Sequence, residues 1–175
     1  MLQNYNTYKI LRLFFDKPSK SFQLRELSRL SKIALPSVIN HVDKLSDADF
    51  VSKEKKHTYA SYTANRTSEK FKLYKKLDLV VRIHDSGLVD YLVKEFQPNS
   101  IVLFGSASRG EDVENSDVDI FVEAKEQEIN LSNFEKEIKR KINLLFELRA
   151  TSLNKELLSN IANGIILYGY LRVLK

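Results

Sequence analysis

Residues 100–123, SIVLFGSASRGEDVENSDVDIFVE, constrain the fold more tightly than any other stretch of the chain. They open with an apolar run, Ile101-Val102-Leu103-Phe104. A short run of this kind, closed at once by Gly105-Ser106, reads as a strand buried on both faces. Arg109-Gly110 follows, and a polar stretch without apolar periodicity leads to Ser116-Asp117-Val118-Asp119. Ile120-Phe121-Val122 then predicts a second strand. Strand side chains alternate between faces, so Asp117 and Asp119 are expected on one face, with Val118 and Ile120 on the other. Two carboxylates on one face, beside a Gly-Ser turn at a strand end, suit a divalent cation and a phosphate. Magnesium takes hard oxygen ligands and few of them from protein, so a small set of carboxylates suffices. A lone Asp-any-Asp is more often a solvated strand end. The Gly-Ser and Arg-Gly before it turn the reading towards metal.

Around this segment the chain alternates helices and short strands. Residues 4–16, with Tyr8, Leu11, Phe14 and Phe15 at helical spacing, predict a helix that ends at Lys17-Pro18. Ser21 to Leu24 is a short bridge or a helix lead-in. Residues 23–31 predict a second helix with Leu24, Leu27 and Leu30 inward. Pro36 opens a third, where its missing N–H costs nothing, with Val38, Val42 and Leu45 inward and Ser37, Asn40, His41 and Lys44 on the other face. Residues 50–63 suit a hairpin with a charged centre. Residues 66–85 predict a basic connecting helix with Phe71, Tyr74, Leu77 and Val81 on one stripe. A helix over 88–96, one over 131–142 and one over 153–163 follow, with strands at 143–148 and 165–168 and Gly164 as the last helix's stop.

Charge is divided unevenly. Residues 1–85 carry 17 Lys+Arg and 9 Asp+Glu, a balance of +8 against +5 for the whole chain, so the remainder is acidic. A basic half points to a nucleic-acid partner or to a solvated basic surface. Hydrophobic residues, 43% of the chain, are enough for a packed core, and no apolar run approaches the roughly 20 residues that span a bilayer. With no cysteine, disulfides and thiolate zinc sites are excluded. The first residues do not resemble a signal peptide, so a soluble cytoplasmic protein is the default expectation.

Gly105-Ser106, Arg109-Gly110 and Ser116-Asp117-Val118-Asp119 resemble the signature of the DNA polymerase beta nucleotidyltransferase superfamily in its minimal form, over roughly residues 86–170. The helices and hairpin before it resemble a winged helix-turn-helix of the bacterial and archaeal regulator type. Together these imply an α+β chain. A winged helix-turn-helix domain (1–65) and a connecting helix (66–85) precede a minimal nucleotidyltransferase domain (86–175), a small α/β domain with a mixed sheet.

The first resemblance implies metal-dependent transfer of a nucleoside monophosphate from an NTP, ATP being the expected donor, to an unknown acceptor. Two magnesium ions would be held by Asp117 and Asp119. Gly105 lets the backbone approach the triphosphate, Ser106 donates to a phosphate oxygen, and Ser116 orients the aspartate turn. Arg109 either steadies the triphosphate or pairs with Glu111 or Asp112. The superfamily places a third carboxylate, a metal ligand and base, on a later strand. One alignment puts Asn143 there and another puts Glu147, which is preferred because asparagine is no base.

The second resemblance implies double-stranded DNA as partner. Ser37, Asn40 and His41 are then base-edge candidates, and Lys44, Lys53, Lys55 and Lys56 phosphate contacts. A winged helix used only for protein contacts or dimerisation, including a homodimer, is the alternative. Two further readings remain open: a DNA-binding regulator whose nucleotidyltransferase domain senses nucleotide or is inert, and an antitoxin-type partner of a HEPN-type toxin, the latter by family analogy alone.

Overall fold

The computed structural model describes residues 5–54 and 60–173. The chain divides into two compact units, Met1–Lys75 and Lys76–Lys175.

The first unit is built from α1 (Asn6–Asp16), β1 (Phe22–Gln23), α2 (Leu24–Ser31), α3 (Leu35–Asp47), β2 (Val51–Glu54) and β3 (Ser61–Ala64). Pro36 stands in the first turn of α3, the position that tolerates a missing N–H. Val38, Val42 and Leu45 face inward as their spacing requires. They join Ile10, Phe14, Phe22 and Leu27 in one core, where the Phe14 and Phe22 rings meet edge-to-face at 5.1 Å. Leu30, expected beside Leu24 and Leu27, is exposed in the last turn of α2. The strands form an antiparallel sheet in the order β1-β3-β2, with Phe22 opposite Tyr62 and Val51 opposite Ala64.

Helix α4 (Glu69–Asp85) corrects the expected stripe. Phe71 is buried, but Tyr74, Leu77 and Val81 are exposed. The covered face instead carries Lys75, Asp78, Leu79, Arg82 and Ile83. Asp78 accepts a hydrogen bond of 2.6 Å from Arg82 Nε, one turn on. A paired carboxylate and guanidinium can be buried where either alone could not, and apolar periodicity is blind to such a pair.

The second unit continues with α5 (Leu88–Phe96), β4 (Ser100–Phe104), α6 (Gly105–Arg109), β5 (Val118–Val122), α7 (Ser132–Ile138) and β6 (Ile142–Phe146). A 3-10 turn (Ala150–Ser152), α8 (Lys155–Ala162) and β7 (Ile165–Gly169) complete it. Its mixed sheet has the order β6-β5-β4-β7, with β4 antiparallel to both neighbours and β5 parallel to β6. Alternation along β4 and β5 divides the core. Ile101, Leu103, Ile120 and Val122 pack with Leu88, Leu92 and Ile138. Val102, Phe104 and Phe121 pack with Ala150 and Ile161. With both faces covered, every residue of β4 is buried, as its unbroken apolar run predicts.

Two local features refine the expected elements. α7 stops at Ile138 because Lys139 turns left-handed (φ 61°), and Ile142 opens β6 instead of closing the helix. α8 begins at an Asn154 cap, whose side chain accepts from Leu157 N–H at 2.9 Å.

Gly164 follows α8, and its role is space. A Cβ there would press into the Leu103 carbonyl oxygen and stand 2.8 Å from Val102 Cγ1. Gly164→Ala is therefore expected to force β4 and the end of α8 apart and to lower stability by about 1–3 kcal/mol, the range for overpacking. Urea unfolding followed by circular dichroism checks this. A midpoint equal to that of the parent chain would mean the neighbourhood yields freely.

Candidate active site

The β4–β5 register builds the centre of the site. Phe104, the last residue of β4, lies opposite Asp119. The chain then turns at Gly105 with φ 73°, a conformation glycine adopts without steric penalty. An added Cβ would meet Asp119 Oδ2 at 2.6 Å. The glycine is thus required twice, by its backbone angle and by the carboxylate against it. Ser106 follows in the first turn of α6 and is half-buried. Asp117 stands one residue ahead of β5 and is exposed, while Asp119 is half-buried within the strand. The structure therefore brings Gly105, Ser106 and Asp119 to one corner, with Asp117 two residues away along the chain.

The polar loop before the aspartates is fastened from a distance. Ser116 Oγ accepts from Val113 N–H at 2.9 Å. Arg140 reaches the same loop twice: Nη1 donates to Asp112 Oδ2 at 2.8 Å and Nε to the Ser116 carbonyl at 2.9 Å. Both side chains of the Arg140–Asp112 pair are buried. The next carbonyl, that of Lys141, accepts from Val118 N–H at 2.8 Å. Asp117 is held between these two ties. Sequence reading missed Arg140, since an arginine 28 residues downstream in a basic stretch carries no local signal. Arg109 is half-exposed and pairs with Glu111 at 3.0 Å, the second of the two roles left open for it.

The register sets out where the two residues proposed for the third acidic position stand. β5 and β6 run parallel with Asp119 beside Asn143, and Asn143 Nδ2–H donates to Asp119 Oδ1 at 3.1 Å. Glu147 lies just past the end of β6, where its N–H bonds the Val122 carbonyl. That is four residues beyond Asn143, about 13 Å at a ~3.3 Å rise per residue. Glu147 is thus displaced along the strand direction from the position beside Asp119. The physical reason is strand direction. A parallel β6 enters the sheet beside Asp119 and leaves beside Val122, so only its first half can face the aspartates. Among the described residues no group of three or more His, Cys, Asp or Glu side chains is assembled for a metal. Asp119, against Gly105, and Asp117, two residues before it, are hard oxygen donors of the kind magnesium takes. Asn143 presents an amide beside Asp119.

In the first unit, Asn40, Lys44 and Lys53 are exposed and Ser37 is half-buried. His41 is turned towards α1, its Nδ1 2.8 Å from Thr7 Oγ1. The exposed side of α3 also carries Asp43 and Asp47. Burial, and next the charge of Asp43, raise the Tyr62 phenol above its usual range, so it stays protonated. Lys55 and Lys56 lie outside the described residues.

Among the described residues no helix is long and apolar enough to cross a membrane. No curated protein and no solved structure gives a significant match to the chain. The family model described as Polymerase beta, Nucleotidyltransferase matches residues 86–170, the span that contains the Gly105-Ser106 turn, both aspartates and the four-stranded sheet. Residues 86–170 are a nucleotidyltransferase domain of the polymerase beta family.

Proposed function

We propose that the second unit binds a nucleoside triphosphate with magnesium at Gly105, Ser106, Asp117 and Asp119, transfers its nucleoside monophosphate to an acceptor, and is coupled to a DNA-binding winged helix in the first unit. The observation that carries the nucleotide reading is the Asp119 carboxylate packed against a side-chain-free, left-handed Gly105. This leaves backbone accessible to phosphate oxygens beside an anionic metal ligand. When bound, magnesium would neutralise the triphosphate and polarise the phosphoryl group under attack. The chain's own part is to hold that group. Gly105 admits the phosphates, Ser106 offers its hydroxyl and N–H to a phosphate oxygen, and Asp117 and Asp119 fix the cation.

A second reading has one observation in its favour. Asn143 occupies the place beside Asp119 and is committed to it as a donor. An amide cannot accept the acceptor's proton, so the site has no general base from β6. On this reading the domain senses nucleotide and the DNA-binding unit responds. The two readings share the nucleotide site and differ only in turnover.

The DNA reading is supported by the order of helices and strands and by the +8 balance of residues 1–85. Asn40, at mid-helix and exposed, is the foremost base-edge candidate. Lys44 and Lys53 are the phosphate candidates.

Three outcomes are expected. Calorimetry should show Mg–ATP binding that weakens in EDTA and weakens again in the Asp117→Asn/Asp119→Asn double variant. Equal affinity in parent and double variant would place the site elsewhere. Labelled NTP incubated with lysate should report transfer. Asn143→Asp should raise it by roughly 10²- to 10⁴-fold, the usual contribution of a positioned base, if the parent is a sensor. A parent that already transfers, with little gain in the variant, would sink the sensor reading. In gel-shift titrations the full chain should bind duplex DNA with an affinity that drops steeply with salt, because lysine contacts release counterions. Lys53→Ala should weaken all sequences alike, while Asn40→Ala should blunt preference among sequences by about 1–3 kcal/mol. Absence of binding at low salt would remove the DNA reading.

A further inference from the structure

Four cations fall within six residues where α7 passes into β6: Lys136, Lys139, Arg140 and Lys141. They line one open surface depression together with Ser132 and Glu135. Lys136, Lys139 and Lys141 are exposed and, among the described residues, take part in no ion pair. The one acid in the lining is already engaged, since Glu135 Oε1 accepts from Ile142 N–H at 3.0 Å. The depression therefore carries a surplus of three positive charges.

Arg140 anchors this corner to the loop before the aspartates. Its side chain is about nine-tenths buried. Nε and Nη1 are satisfied by Ser116 and Asp112, but Nη2 is buried without a hydrogen-bond partner. A buried guanidinium nitrogen left unsatisfied is costly. Lys139, held left-handed at φ 61°, keeps the turn that brings residues 136 and 139–141 together.

We propose that this corner is a phosphate site for a second ligand bound beside the nucleotide. The Lys136, Lys139 and Lys141 ammoniums would neutralise the phosphate, and Arg140, bonded to Asp112 and to the Ser116 carbonyl, would hold the turn that presents them. No aromatic side chain lines the depression, so nothing there stacks a base, and the four charges converge on one spot instead of tracking a groove. These features favour a single phosphate group over a nucleic-acid strand. The location gives the site its meaning. Arg140 also holds Ser116, and Lys141 holds Val118, the two residues that flank Asp117. A phosphate bound here sits next to the loop that presents a metal ligand, which makes a phosphate-bearing acceptor or a phosphate effector of that site the fitting class. This last step rests on the nucleotide reading above; the phosphate site itself does not.

The test is titration of the isotope-labelled full chain in EDTA, with inorganic phosphate in one arm and ribose 5-phosphate in the other, followed by backbone amide shifts. Amides around residues 136–142 should move and saturate. Lys136→Gln/Lys139→Gln/Lys141→Gln should weaken binding at least tenfold in both arms. Tighter binding of ribose 5-phosphate would identify a carried phosphate, and equal binding a free one; both support the site. Shifts confined to other segments, or a triple variant that binds as the parent does, would overturn it. So would a triple variant that loses duplex DNA and phosphate by the same factor, because the lysines would then belong to a nucleic-acid surface. The Asp117→Asn/Asp119→Asn variant separates the two proposals. It should keep phosphate at the corner while losing Mg–ATP, so failure of either site is seen without the other.

Discussion

The antiparallel pairing of β4 with β5 is the constraint on which the second unit depends. With Phe104 opposite Asp119, the carboxylate comes to rest against the glycine that ends β4. Side chains alternate along a strand, so a slip of one residue would turn Asp119 to the opposite face and expose the apolar residues on either side of it. The buried alternation of Ile101, Leu103, Ile120 and Val122 against Val102, Phe104 and Phe121 forbids that slip. Core packing and site geometry are thus one requirement. The residues that fix the register are apolar, and the residues it delivers are the acids.

The same reasoning explains what could be read from the sequence. β4 and β5 were legible because an unbroken apolar run next to Gly-Ser admits few structures, and the glycine's two constraints act within a few residues of chain. The helices of the first unit were legible because Val38, Val42 and Leu45 recur at helical spacing and Pro36 marks a start. Where polar groups replace apolar ones inside, the pattern misleads. The stripe through Tyr74, Leu77 and Val81 has a sound helical period, yet α4 covers the face holding the Asp78–Arg82 pair. Burial of a compensated charge pair follows from who meets whom in three dimensions, and spacing alone does not carry that information.

Strand pairing between distant segments was equally out of reach. The choice between Asn143 and Glu147 turns on whether β6 runs with or against β5 and at which residue it enters and leaves the sheet. The parallel register, with Val118 beside Ile142, puts Asn143 beside Asp119. Arg140 is a further case. Its partners Asp112 and Ser116 lie 28 and 24 residues away, and the turn that brings it to them depends on the left-handed Lys139, a residue type with no special liking for that conformation. The pieces that hold the aspartate loop are therefore dispersed, although the aspartates themselves are local.

Asn143 also bears on how many cations the corner suits. Two metal ions beside a triphosphate are favoured when several carboxylates offset their combined charge. If the amide of Asn143 takes the third place, as the sensor reading proposes, Asp117 and Asp119 alone would do so, and the N–H that Asn143 gives to Asp119 Oδ1 would draw one lone pair away from a metal. The cation that arrives already partnered by triphosphate oxygens needs the fewest protein ligands. A second cation, lacking those oxygens, would depend on the ligand that asparagine replaces. On the nucleotide reading proposed above, the arrangement beside Gly105 would suit one nucleotide-borne magnesium better than a two-metal pair. The positive charge needed elsewhere around a phosphorylated ligand would then have to come from side chains such as the lysines that close α7.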